Sequence, residues 1–129
     1  MILNIRIILP LLTSIQLSKR ECVIMKNVKE RCVLTNVIET ELDILKRHIM
    51  VLKVLQENEP AGIIKLSELT KHPQHMVRYS LRILEQDGLI EPSPQGAVTT
   101  DAVKKTMPLV KTKLKEMRKT VDGLLKKLE

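Results

Sequence analysis

The chain has 129 residues, with 22 Lys or Arg against 15 Asp or Glu for a formal charge of +7, and it is 43% apolar but only 1% aromatic. That length suits one domain plus an appendage, and a core of Leu, Ile, Val and Met favours helices over a many-stranded sandwich. The composition excludes a disulfide scaffold and a zinc module, because Cys22 and Cys32 stand alone with no CxxC or Cys/His ligand spacing around them. Two reduced thiols in a cytoplasmic protein are the expectation.

Residues 1–36 read as an extension. Its opening run, MILNIRIILPLLTSIQLS, is strongly apolar, but Arg6 and Pro10 interrupt it and it lacks the charged start and cleavage site of a signal peptide. It is also shorter than the about 20 apolar residues of a membrane helix. An apolar arm on a partner, a membrane-surface segment and sequence upstream of the true start are the three readings. The third is preferred, because Met25 opens a polar segment that leads into the periodic region, and no membrane partner is expected.

Ile38, Leu42, Leu45, Ile49 and Leu52 recur at spacings of 4, 3, 4 and 3 with charges between them, which predicts an amphipathic helix over 37–57. NEPAG (58–62) ends it, since Pro60 cannot continue a helix and Gly62 permits a turn. GIIK (62–65) predicts one short strand. LSEL then starts a second helix of about two turns, which stops where His72 meets Pro73. Pro73 suits the first turn of a third helix, over 73–87, and Gly88 suits its C-terminal cap. In that helix Val77, Ser80, Leu81 and Leu84 form the buried face. Gln74, His75, Arg78, Arg82 and Glu85 face outward, and Tyr79 stands at the margin. LIEP and AVTT predict two short strands around the turn SPQG.

Over residues 40–100 this order resembles the winged helix-turn-helix family. The residues that carry the likeness are KLSELTKHPQHMVRYSLRILEQDGLIEP (65–92) and the wing-like QGAVTT (95–100). More narrowly, the run resembles small predicted transcriptional regulators of archaea. The resemblance implies a fold that is mainly α with a small β-hairpin, a winged domain over 37–100, and a third helix that enters the major groove of DNA. It thereby implies DNA-reading roles for Gln74, His75, Arg78, Tyr79 and Arg82.

The side-chain chemistry suits that role on its own terms. An Arg fork matches the two acceptors of guanine and a Gln amide matches adenine. Lys71, His72 and Tyr79 can reach phosphate oxygens, which set register without reading sequence. Tyr79 is expected to seat its ring beside the core and turn its hydroxyl to a sugar or phosphate, between arginines that reach further. Arg78 and Arg82 form a like-charge pair four apart, and no acid at 74 or 75 relieves it. The turn SPQG has no Lys or Arg, which departs from winged helices whose basic wing grips the minor groove.

Other chemistry is sparse. His72 and His75 are three apart but flank a proline at a helix start, and with His48 they complete no metal set. What the pair offers is titration near neutral pH. No Gly-rich phosphate loop and no nucleophile with its base is legible, so the chain is expected to be no enzyme and to need no cofactor. The effector, if one exists, has no sequence signature here. A winged helix used only for protein–protein contact is the alternative to a DNA reader; an RNA binder would want stacking aromatics.

The C-terminal segment, 101–129, carries nine Lys or Arg and four acids, so +5 of the total +7 lies there. Val103, Met107, Val110, Leu114, Met117, Val121, Leu124 and Leu128 form a heptad seam, spaced alternately 4 and 3. Thr100 or Asp101 is expected to cap this helix, and Pro108 to kink or divide it. The seam extends about five turns past a domain that is already closed, which favours a homodimer interface over Val110, Leu114, Met117, Val121, Leu124 and Leu128. Its flanks hold Lys111, Lys113, Arg118 and Lys127, which disfavours simple self-pairing. Helix one offers Glu39, Glu41 and Asp43 instead, so the C-terminal helix is expected to pack on the N-terminal helix of its own or the other subunit. If DNA is the ligand, such a dimer sets two reading helices about 34 Å apart on a near-palindromic site.

Overall fold

The structure, a computed structural model, describes residues 32–129. The apolar run, Cys22 and Met25 lie outside the described residues. A boundary between residues 40 and 41 separates two units. In the first, Cys32 begins a turn whose carbonyl accepts bonds from the Thr35 and Asn36 amides. The Thr35 hydroxyl donates to the Glu39 carboxylate one turn on.

The element order is α1 (Asn36–Asn58), α2 (Ile63–Thr70), α3 (Gln74–Gln86), β1 (Ile90–Ser93), β2 (Gly96–Thr99) and α4 (Ala102–Leu128). The protein is mainly helical, with one two-stranded hairpin and a long C-terminal helix. Four helices arise where the apolar spacing called for them, and α1 and α3 end within a residue or two of their expected limits.

The second unit closes over one aliphatic core. Val51, Leu52 and Leu55 of α1 meet Leu66 of α2, Val77 and Leu84 of α3, then Leu89, Ile90 and Val103. Val51, Leu55, Leu66 and Val77 have no exposed surface. Each buried aliphatic side chain of this size contributes about 1.5 to 3 kcal/mol. The core therefore depends on α1 residues off the expected stripe as much as on it. Leu45 and Ile49 are half-buried, whereas Leu42 is 47% and Ile38 59% exposed. α1 carries a second apolar row, Val51 and Leu55, four apart, and the converging helices use that row.

The strand expected at GIIK is absent. Ile63 and Ile64 already belong to α2, behind an extended Gly62 at φ −90° and ψ 175°. Burying Leu66 and Thr70 on one face, four apart, requires helix, and that packing overrides the β preference of two isoleucines. The extended part shrinks to one residue: Ala61 N–H donates to the Ala97 carbonyl at 3.2 Å, and Ala97 N–H donates back at 2.9 Å.

β1 and β2 pair antiparallel with Ile90 opposite Thr99 and Ser93 opposite Gly96. Gly96, at φ +132°, lies so close to Ala61 that a Cβ on it would stand 2.6 Å from the Ala61 carbonyl carbon. Glu59 ties down the far strand: its carboxylate accepts from Thr99 N–H and from Thr99 Oγ1, both at 2.7 Å.

Those two bonds, the backbone one first, hold the Glu59 carboxyl below its ordinary pKa. A lowered carboxyl pKa gives stability that is present above the ordinary value and is lost as pH falls through the lowered one. The stability gap between wild type and Glu59→Gln should therefore be present at pH 7 and shrink below about pH 4.3. Urea midpoints at pH 7 and pH 3 measure it. An equal gap at both would mean the charge has no part in the tether.

α4 runs unbroken through Pro108, so the expected division is absent. The missing N–H of Pro108 frees the Lys104 carbonyl, and because Lys104 and Pro108 are both exposed, water can satisfy it. Capping also differs. Asp101 occupies the cap position without a side-chain capping bond and instead lies 3.6 Å from Lys104. The Thr100 hydroxyl donates to the Gly88 carbonyl. Along the seam, Val103 is buried, Met107 packs on the core, and Val110 and Leu114 are half-buried. Beyond them Met117, Val121 and Leu124 are each about half exposed, and Leu128 is 85% exposed. None of the described helices is long and apolar enough to cross a membrane.

Candidate nucleic-acid interface

The site grows from the turn between α2 and α3. Lys71 closes α2 in the left-handed conformation at φ +57°, and the Ser67 hydroxyl donates to the His72 carbonyl at 2.6 Å. Pro73 stands at the N-cap of α3, one place earlier than expected, and its carbonyl accepts from the Met76 and Val77 amides. At the other end Gly88, at φ +72°, lets its own amide reach the Glu85 carbonyl and the Leu89 amide reach the Leu84 carbonyl. That pair of bonds is a Schellman closure, which needs a residue free to adopt positive φ. α3 is thus fixed at both ends.

Its two faces separate cleanly. Val77, Ser80 and Leu84 are buried. Gln74, His75, Arg78, Tyr79 and Arg82 are exposed, as is Lys71, while His72 is half-buried. Gln74 and Arg78 line a cleft of about 580 Å³ with Ile63, Lys65 and Glu68 of α2. Arg78 and Arg82 line a second groove of about 380 Å³, walled by Leu81, Glu85, Glu91, Pro92 and Gly96, between α3 and the hairpin.

Tyr79 is not with them. Successive helix residues lie about 100° apart, and this step carries the tyrosine to the opposite edge of α3, against α1. Its ring centroid is 5.9 Å from that of His48, and the guanidinium carbon of Arg47 lies 5.8 Å from it. Tyr79 thus stands at the margin of α3 with its ring turned to the rest of the fold. In three dimensions its arginine neighbour is Arg47, from a helix 32 positions earlier.

Beneath that edge Ser80 is fully buried. Its Oγ accepts from Arg47 Nε at 3.1 Å and lies 2.9 Å from His48 Nδ1. Burial first, and the Arg47 cation second, lower the His48 pKa, while Asp87 opposes them. A neutral ring with Nδ1 as acceptor fits the remaining Ser80 proton. Sequence reading put Ser80 on the buried face without asking what would satisfy its hydroxyl. A buried hydroxyl needs a partner, and that question was the available signal for Arg47 and His48.

Acids modify the face too. No carboxylate neighbours Arg78 in the chain at 74 or 75, yet folding brings Glu68, Glu85 and Glu91 to the walls of its two clefts. Residues 88–100 hold Glu91 and no Lys or Arg. Among the described residues no group of three His, Cys, Asp or Glu side chains could hold a metal ion. The chain matches no protein-family model and no curated protein.

Proposed function

We propose that the chain is a sequence-specific, double-stranded DNA-binding regulator of transcription, a winged helix-turn-helix protein that inserts α3 into the major groove and acts as a homodimer. The observation that carries the reading is the exposed face of α3. Gln74, His75, Arg78 and Arg82 share it, on a helix held by the α2 turn at one end and the hairpin at the other. Arg and Gln are the side chains that match guanine and adenine edges. The test is binding of random-sequence duplex across a salt titration, wild type against the Arg78→Ala, Arg82→Ala double variant.

A second reading has its own support. Glu68, Glu85 and Glu91 beside the arginines, and a hairpin without cations, suit a winged helix that docks on another protein. Binding that ignores DNA, or that survives the double variant, selects it.

The dimer reading rests on α4. In proteins most helical stability comes from packing an amphipathic face, and from Met117 to Leu128 the apolar residues of α4 are exposed. The Lys111, Lys113, Arg118 and Lys127 flank is complementary to the acidic first turns of α1, so the other subunit's α1 is the partner surface. Reversing Lys113, Arg118 and Lys127 to Glu should raise the dimer Kd about tenfold or more, at about 0.5 kcal/mol or more per reversed pair. Lys113 also pairs with Glu116 at 2.9 Å, so its reversal removes a helix pair as well. Sedimentation equilibrium reads the result; a tighter dimer would mean the seam faces another copy of itself.

A further inference from the structure

We propose that Arg47 of α1 is a phosphodiester-binding residue, an anchor that grips one backbone phosphate of the duplex at the α1 edge of α3. The inference rests on the reading of α3 as the DNA-inserting helix, and it adds a ligand contact from a helix that carries none in that reading.

Three observations support it. First, Arg47 is not needed to satisfy the core. The buried Ser80 hydroxyl already has His48 Nδ1 at 2.9 Å, so a second partner at 3.1 Å is redundant as a remedy for burial. Second, the bond to Ser80 uses Nε, the guanidinium nitrogen nearest the stem. It orients the plane of the fork without using the terminal nitrogens, the pair that grips an oxyanion side by side. Third, the guanidinium stands over the ring of Tyr79, a residue 48% exposed, and Arg47 is itself half-buried, so the fork is held at the border of core and solvent. A planar cation held within cation–π reach of an aromatic ring and pinned at one nitrogen loses little side-chain freedom when it binds an anion.

The location matches a phosphate rather than a base. The major groove is about 12 Å wide and an α-helix with its side chains about 10 to 12 Å across. A helix seated there has a phosphate row along each edge. Lys65 of α2 lies at one edge, in the cleft with Gln74 and Arg78, and Arg47 lies at the other, past Tyr79. Contacts of this kind position the helix and carry no sequence information.

The experiment measures binding of wild type, Arg47→Gln, Arg47→Lys and the Arg78→Ala, Arg82→Ala variant to random and site-selected duplexes between 50 and 200 mM salt. Thermal melts confirm that each is folded. Arg47→Gln should weaken both duplexes by the same factor and reduce the slope of log K against log salt by about 0.9, the release from one phosphate. Arg47→Lys should restore the slope. If Arg47→Gln keeps the wild-type slope while the α3 variant loses binding, the anchor is refuted and the α3 reading stands. An Arg47→Gln that changes which sequence is preferred would also refute it, since that is base reading. If wild type does not bind duplex DNA, the α3 reading fails and the anchor with it.

Discussion

Gly96→Ala should lower the stability of the protein by about 3 kcal/mol or more, seen as a large drop in the urea midpoint. Two effects add. At φ +132° any side chain strains the backbone, by about 1 to 3 kcal/mol. The new methyl would also stand 2.6, 2.8 and 2.9 Å from the Ala61 carbonyl carbon, oxygen and nitrogen. Those are backbone atoms locked in the two Ala61–Ala97 hydrogen bonds, so neither side can yield without breaking the pairing that joins the hairpin to the chain before α2. Gly88 is the control. It also has positive φ, +72°, but nothing lies within 4 Å of its missing Cβ, so Gly88→Ala should cost only the conformational part, about 1 to 2 kcal/mol. If the two variants were equally stable, the close approach of Gly96 to Ala61 would not exist in solution.

The Arg78→Ala, Arg82→Ala variant should lose about 1 to 3 kcal/mol of duplex binding for each base contact removed, with a shallower salt dependence than wild type. Both side chains are exposed and make no part of the core, so the fold should survive. The loss should exceed simple removal of two charges from the surface. Glu85 and Glu91 share a groove with these arginines, and Glu68 a cleft with Arg78, so removing the cations leaves carboxylates facing the phosphates. If variant and wild type bind alike, or neither binds, α3 is not a DNA reader. The seam from Val110 to Leu128, exposed from Met117 onward, then becomes the place to look for a protein partner.

The fold was legible wherever a local pattern decided it. The 4-3 spacing in α1 and α4, the Pro73 start and Gly88 stop of α3, and the SPQG turn each depend on residues within a few positions of one another. Local reasoning failed at GIIK, where the burial of Leu66 and Thr70 outweighed two β-branched residues. The division offered at Pro108 is absent too, since an exposed helix lets water satisfy the carbonyl that a proline leaves free. The outward residues of α3 were equally legible, because the helical period sorts a known helix into faces. Which neighbour each face would meet was not.

What the amino-acid sequence determined by itself, then, is the set of helices, the hairpin, the ends of α3 and the exposure of Gln74, His75, Arg78 and Arg82. Periodicity and backbone stereochemistry act over one or two turns and are written locally. Tertiary structure alone decided which apolar row of α1 enters the core, that Gly96 abuts Ala61, and that carboxylates share the arginine clefts. It also decided that Tyr79 turns away to Arg47, whose bond to Ser80 spans 33 positions. Such contacts depend on how helices cross, and linear spacing carries no distance between segments that far apart.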